Sequence, residues 1–258
     1  MLLAVDIGNT NIVFGLFEDS GKCTKTLRLE TKRDAVAKYY TSFFSKNKIT
    51  KNQIDSIIIS SVVPQTKKEF KKSCNEYFGI KPFDVSENIE KLGIKIKIDN
   101  PKEVGADRIV NAIAFYKKYK KAGIIIDFGT ATTFDVVGPK GEYLGGMISP
   151  GINLALAALT KAAAKLPQIK IAKPAKAIGK STVSAMQSGI YYGYLGLIER
   201  SVTEIASELG KTSLRGGPYT VATGGLAKFF GSCKAIDSIE ENLTLEGLFI
   251  INNLKNKQ

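Results

Sequence analysis

Apolar residues gather in short runs along the chain, and each run stops at a cluster of small or polar residues. The opening "LLAVDIGNTNIVFGLFE" is rich in Leu, Val, Ile and Phe and is broken once, at Gly8 and Asn9. That pattern predicts a hairpin: a strand over 2–6, a tight turn over 7–11 and a strand over 12–17. "DSGK" at 19–22 predicts a second turn before a further strand at "CTKTLRLE". Residues 34–46 carry a helical pattern, and "QIDSIIISSVVP" predicts a strand that stops at Pro64. The amphipathic "QTKKEFKKSCNEYF" follows as a helix, and "KPFDVS" and "GIKIKID" predict short strands. Within "VGADRIVNAIAFYKKYKK", Ile109, Val110, Ala112, Ile113 and Ala114 form a helical stripe, and the lysines after it suit a helix C-terminus.

The pattern then starts again. "GIIIDFGTATTFDVV" at 123–137 ends an apolar run in an aspartate, then a residue, a glycine and a threonine cluster, as the opening does. "TTFDVVGPKGEYLGGMIS" continues as antiparallel strands through a "GPKG" turn. "PGINLALAALTKAAAKL" predicts a helix with Pro150 near its first turn. A long helix over about 182–209 carries Met186, Ile190, Tyr194, Leu197, Ile198, Val202 and Ile205. So broad an apolar face is either central to a domain or shared with a second subunit. "PYTVATGGLAKFF" predicts a strand, a Gly-Gly turn and a helix start, and "LTLEGLFIINNL" closes the chain as a helix. The whole predicts two α/β domains of related design, 1–117 and 118–258, flanking a cleft that each Asp-x-Gly turn faces.

Composition narrows the chemistry. Of 258 residues 44% are hydrophobic and 24% charged, as in ordinary globular proteins. No apolar stretch approaches the roughly 20 residues that span a bilayer. "MLLAVDIGN" has no basic n-region, so no signal peptide is expected. Cys23, Cys74 and Cys233 lie far apart without CxxC spacing, which fits a reducing cytoplasm. The absence of histidine excludes Ser-His-Asp and Cys-His nucleophiles and His-ligated zinc, leaving acid–base work to carboxylates, lysine or tyrosine. The net charge of +13 comes mostly from scattered lysines, which read as a solvated surface; no membrane and no nucleic-acid partner is expected.

The two Asp-x-Gly turns are the candidate chemistry. A glycine in such a bend lets backbone N–H groups come close to phosphate oxygens, and Asn9, Thr10 and Asn11 add side-chain donors. Asp6 is a hard oxygen ligand suited to Mg2+, directly or through water. The second turn offers Gly129, Thr130, Thr132 and Thr133. Neither is a GxxxxGK[ST] loop and no GxGxxG opens a helix, which sets aside the P-loop and dinucleotide-binding readings. One such turn is explained by a hairpin alone; a matched pair is not.

The pair resembles the phosphate loops of the duplicated sugar kinase and actin superfamily. More narrowly, "DIGNTN", "ISSVVP", "DNPKEVGADRIVNA", "IDFGTATTFDVV", "GGMISPGI", "STVSAMQSGIYYG" and "ATGGLA" stand in the order found in type III pantothenate kinases. The resemblance covers nearly the whole chain and implies a duplicated actin-like (ribonuclease H-like) fold. It implies ATP-dependent phosphorylation of pantothenate to 4′-phosphopantothenate, the opening step of coenzyme A synthesis. By the same resemblance Asp6, Ile7, Gly8, Asn9, Thr10, Asn11, Ile12, Val13 and Thr130 would bind ATP. Gly105, Ala106, Asp107 and Arg108 would bind pantothenate, with Asp107 as general base and Thr182 as a further contact. Asp127 would serve a monovalent cation, K+ or NH4+, and a homodimer would enclose the substrate. Ile98 stands where relatives often carry a tyrosine.

Physical chemistry agrees on the GADR tetrad: Arg108 offers a fork of donors for polar substrate groups, and an ionised Asp107 can accept a hydroxyl proton. A carboxylate in a first helical turn also favours the helix dipole, and Thr182 also suits a helix N-cap. Asp127 could equally cap its own turn, and the cation there rests on the resemblance alone. Two rival functions use the same residues differently: a kinase for another small hydroxyl acceptor, or a catalytically silent regulator that binds nucleic acid through its lysines.

Overall fold

Two five-stranded sheets with helices packed on them organise this computed structural model, which describes residues 1–210 and 217–255. The described elements are, in order, β1 (Leu2–Ile7), β2 (Asn11–Phe17), β3 (Cys23–Glu30), α1 (Ala37–Lys46), β4 (Ser56–Ser61), α2 (Pro64–Phe78), β5 (Phe83–Asp84) and α3 (Ala106–Tyr119). There follow β6 (Gly123–Phe128), β7 (Ala131–Val137), β8 (Tyr143–Pro150), α4 (Ile152–Ala162), α5 (Thr182–Glu208), β9 (Tyr219–Gly224), β10 (Ser238–Ile239) and α6 (Leu243–Lys255). The chain divides into a first unit, Met1–Tyr119 with the segment that starts at Asn242, and a second, Lys120–Glu241.

In the first unit the strand order is β3-β2-β1-β4-β5, with β1–β2–β3 antiparallel and β1–β4–β5 parallel. β1 and β4 are central and apolar on both faces, as parallel strands covered by helices must be. The outer β3 carries Lys25 and Arg28, which blunt an edge. One face packs Leu3, Val5, Ile7 and Phe14 against Tyr40 and Phe44 of α1 and Phe70 and Phe78 of α2. The other packs Leu2, Ala4 and Ile58 against Val110 of α3 and Leu245, Leu248 and Ile251 of α6. Pro64 opens α2, where its missing N–H is harmless, and Gly79 ends it at φ 72°.

The second unit repeats the plan as β10-β9-β6-β7-β8, with the same antiparallel and parallel pairings. Ile124, Ile126 and Phe134 pack against Tyr191, Tyr194, Ile198 and Val202 of α5. The repetition reaches the turns. The β2–β3 turn is closed by Glu18 N–H donating to the Lys22 carbonyl with Gly21 at φ 89°. The β7–β8 turn is closed by Gly138 N–H donating to the Glu142 carbonyl with Gly141 at φ 80°.

Some boundaries move. The division expected at 117/118 falls at 119/120, and the closing helix belongs to the first unit, not the second. Gly247 explains this: a Cβ there would stand 2.6 Å from Val110 Cγ1 and 2.6 Å from the Val110 carbonyl oxygen, so only glycine lets α6 lie so close to α3. Thr244 Oγ1 donates to Asn111 Oδ1 at 2.8 Å across the same contact. Pro150 ends β8 rather than entering α4, which starts at Ile152. "GIKIKID" alternates as a strand does, but it makes only an isolated bridge, at Ile96. The helix after "ATGG" is a short 3-10 turn over Ala227–Phe230.

Candidate active site

The first loop begins where β1 ends. Asp6 pairs with Val13 and Ile7 with Ile12, leaving a four-residue loop from Gly8 to Asn11. Gly8 N–H donates to the Asn11 carbonyl at 3.0 Å, and a Cβ on Gly8 would sit 3.1 Å from that oxygen. Thr31 clamps the loop from beyond β3: its N–H donates to the Thr10 carbonyl at 3.0 Å and its Oγ1 to the Gly8 carbonyl at 2.7 Å. Asn9 and Thr10 are exposed, and Asp6, Asn11 and Val13 are half-buried. Ile7 and Ile12 are core residues on the α1–α2 face, so they can meet a nucleotide only through backbone atoms.

The second loop is one residue shorter. Asp127 pairs with Thr133 and Phe128 with Thr132, leaving Gly129, Thr130 and Ala131. Gly129 N–H donates to the Ala131 carbonyl at 3.0 Å, and Gly151 N–H donates to the Thr130 carbonyl at 3.0 Å in the role that Thr31 plays in the first unit. A Cβ on Gly151 would collide with that loop, standing 2.6 Å from the Gly129 carbonyl oxygen. Thr130 is exposed and Asp127 half-buried beside Thr133. The Thr133 hydroxyl donates to Asp135 Oδ2 at 3.0 Å, and Tyr143 donates to the other oxygen of this fully buried acid at 2.9 Å. Thr132 does not join the loop as expected; strand alternation turns it to the opposite, buried face.

The GADR tetrad sits at the start of α3. The Asp107 carboxylate folds back over Gly105, where any Cβ would collide with Oδ1, and accepts from Arg108 N–H at 2.9 Å. Burial pushes its pKa up, partly offset by the Arg108 N–H and guanidinium. Val62 Cγ1 lies 3.6 Å from the same Gly105 position, and Val62 N–H donates to the Ile7 carbonyl at 3.2 Å. GADR and the first loop therefore meet around the carboxyl ends of the parallel strands β1 and β4, where open α/β sheets bind ligands. A nucleotide's phosphates and an acceptor hydroxyl can both be reached from there. Among the described residues no group of three or more acidic or cysteine side chains is arranged to hold a metal ion. A cation at Asp6 or Asp127 would therefore lean on phosphate, hydroxyl or carbonyl oxygens as well.

The family model for type III pantothenate kinases matches residues 2–204, over which all of these loops lie. The chain belongs to the type III pantothenate kinase family. A type III pantothenate kinase of Paramagnetospirillum magneticum is 46% identical over 256 residues, covering 98% of this chain and 96% of the relative. Among solved structures, a protein of Campylobacter jejuni described as a Baf-family transcriptional activator aligns over 99% of this chain and 100% of its own at a TM-score of 0.62 and 20% identity. An inorganic polyphosphate/ATP-glucomannokinase of Arthrobacter aligns over 98% of both chains at a TM-score of 0.51 and 14% identity. Those two likenesses establish the fold, an α/β, duplicated actin-like design.

Within this type III pantothenate kinase family member, Thr182 belongs to the second unit. It is the exposed first residue of α5, after Ser181, whose side chain caps the helix by accepting from Ser184 N–H at 3.2 Å. An open groove beside it is lined by Leu159, Leu166, Gly179, Met186 and Ile190, and neither Asp127 nor Thr130 lines it. Ile98 is half-buried in the irregular stretch before α3. The clamping residues Thr31 and Gly151 escape sequence reasoning, since nothing local distinguishes them; only the strand register shows that they are equivalent.

Proposed function

We propose that this chain phosphorylates pantothenate on its primary hydroxyl with ATP, giving ADP and 4′-phosphopantothenate. The observation that supports this best is the meeting of the first phosphate loop with Asp107 at one end of β1 and β4, within a chain of this family. Backbone N–H groups and Asn9, Thr10 and Asn11 of the first unit bind phosphates, with Ile7, Gly8, Ile12 and Val13 shaping that loop; in the second unit Thr130 is the residue assigned to ATP. Gly105 and Ala106 form the bend that presents Asp107 and Arg108, and Arg108 orients the polar groups of pantothenate. The acceptor oxygen bonds to the γ-phosphorus as the bond to the β–γ bridging oxygen breaks, and its proton passes to Asp107. A loose transition state asks for alignment and charge neutralisation more than for a strong base. Asp6 would hold Mg2+ together with the phosphates, and that ion would supply the neutralisation; Asp127 would hold K+ or NH4+. Thr182 completes the pantothenate site in a homodimer, and the enzyme works in the cytoplasm.

A coupled ADP-release assay tests the proposal with Mg2+ and K+ present, with and without pantothenate and with a panel of sugars and hydroxy acids. The expected result is turnover that depends on pantothenate and on K+ or NH4+. Turnover with another acceptor alone overturns the substrate, and no ADP release with any acceptor, alongside salt-sensitive DNA binding, overturns the kinase.

A further inference from the structure

Next to Asp6 stands a hydroxyl that no described residue uses. Ser60 is the parallel-strand partner of Asp6, so both side chains project from the same face of the sheet, the α3 face. Ser60 is fully buried, and its Oγ makes no hydrogen bond among the described residues. Its neighbour Ser61 is accounted for by the local turn, where its hydroxyl accepts from Val63 N–H at 3.1 Å. A buried hydroxyl without a partner loses its hydration for nothing, and alanine would fill the same space without that penalty. Two positions earlier on the same face the strand carries an isoleucine, Ile58.

The second unit repeats the arrangement. Asp127 is paired across parallel strands with Thr223, which is 2% exposed, and Val221 stands two positions earlier. Each half thus sets a buried hydroxyl residue beside its strand-end acid; in the first unit the rest of that face is largely apolar, while in the second it also carries Thr133 and the buried Asp135.

We propose that Ser60 is a positioning residue for Asp6: in the nucleotide-loaded state its hydroxyl donates to the Asp6 carboxylate, directly or through one water, and fixes that carboxylate toward the bound phosphates and their cation. This rests on the reading of residues 6–13 as the phosphate loop. No covalent step is involved; Ser60 acts through Asp6 alone. Ser60→Thr keeps the hydroxyl, and the second unit accommodates threonine at the equivalent place.

The test is titration calorimetry of the full chain with Mg-ATP on wild type, Ser60→Ala, Ser60→Thr, Asp6→Ala and the double variant Ser60→Ala/Asp6→Ala, with thermal melting of each ligand-free protein. Ser60→Ala is expected to melt no lower than wild type, to bind Mg-ATP about tenfold more weakly, and to leave KM for pantothenate in place. Ser60→Thr is expected to restore most of the binding, and Ser60→Ala to have no further effect once Asp6 is alanine. Wild-type affinity in Ser60→Ala overturns the proposal, as does an equal loss with and without Asp6. Should the alanine variant not fold, Ser60→Cys, a near-isostere with a weak donor, carries the same comparison. Unchanged Mg-ATP binding in Asp6→Ala alone overturns the phosphate-loop reading itself and, with it, the role of Ser60.

Discussion

Asp107, the proposed base, is given little room. It is folded against Gly105, held by the amide of Arg108, and buried enough that its pKa lies above the ordinary aspartate value. An acid whose folded pKa is raised favours the fold at low pH. That contribution is lost as pH rises from the unfolded pKa through the folded one, so at neutral pH the ionised Asp107 strains the fold. Asp107→Asn removes the charge and keeps the shape. Turnover is expected to fall by about 10²–10⁴-fold while ligand-free melting holds steady or rises and Mg-ATP binding stays near normal. Full activity in that variant removes Asp107 from the chemistry. In wild type, kcat is expected to fall on the acid side at a pH above the ordinary aspartate range. At this scale the acids were legible because each stands at a sequence landmark, a strand end or a GADR tetrad. Ser60 and Thr31 were not, since their meaning comes from a cross-strand partner tens of positions away.

Elements were legible wherever one pattern decided them. β1 and β6 announce themselves by apolar runs closed with Asp-x-Gly, and α2 by Pro64 and Gly79 at its two ends. Patterns fail where the partner decides: "GIKIKID" has the period of a strand yet makes a single bridge, and α6 has an apolar face that says only that it packs somewhere. Where it packs is fixed by Gly247 against Val110. Gly247→Ala must push the α3 backbone, because one of the two close atoms is a carbonyl oxygen. Overpacking of this kind costs roughly 1–3 kcal/mol, to be read as a lowered denaturation midpoint with an unchanged slope. Because α3 carries Asp107 and Arg108, KM for pantothenate is expected to rise in the protein that remains folded. An unchanged midpoint would show that α3 and α6 part more easily than this contact implies.

For the whole molecule the decisive feature is duplication: one strand plan, one loop clamp and one hydroxyl beside the acid, written in both halves. The second unit also leaves apolar side chains uncovered. Large apolar side chains exposed in the second unit include Ile148 on β8, Leu154 and Leu159 on α4, and Val183 and Tyr192 on α5. On the same helix Gly189, Gly193 and Gly196 have nothing within 4 Å of where a Cβ would stand. A helix face built of small residues among exposed apolar ones suits close approach by another helix, and soluble monomers rarely leave such a surface bare. The proposed homodimer gives it a use, and Val183 adjoins Thr182, the residue assigned to pantothenate. Sedimentation at micromolar concentration is therefore expected to give twice the 28.0 kDa chain mass. Leu154→Lys with Val183→Lys is expected to give the single mass. If Thr182 completes the pantothenate site only in the dimer, the monomeric variant keeps its Mg-ATP affinity and its melting behaviour while KM for pantothenate rises at least about tenfold, a loss on the order of 1.4 kcal/mol. A monomeric variant with wild-type KM for both substrates would leave each subunit complete by itself and remove the dimer from the mechanism.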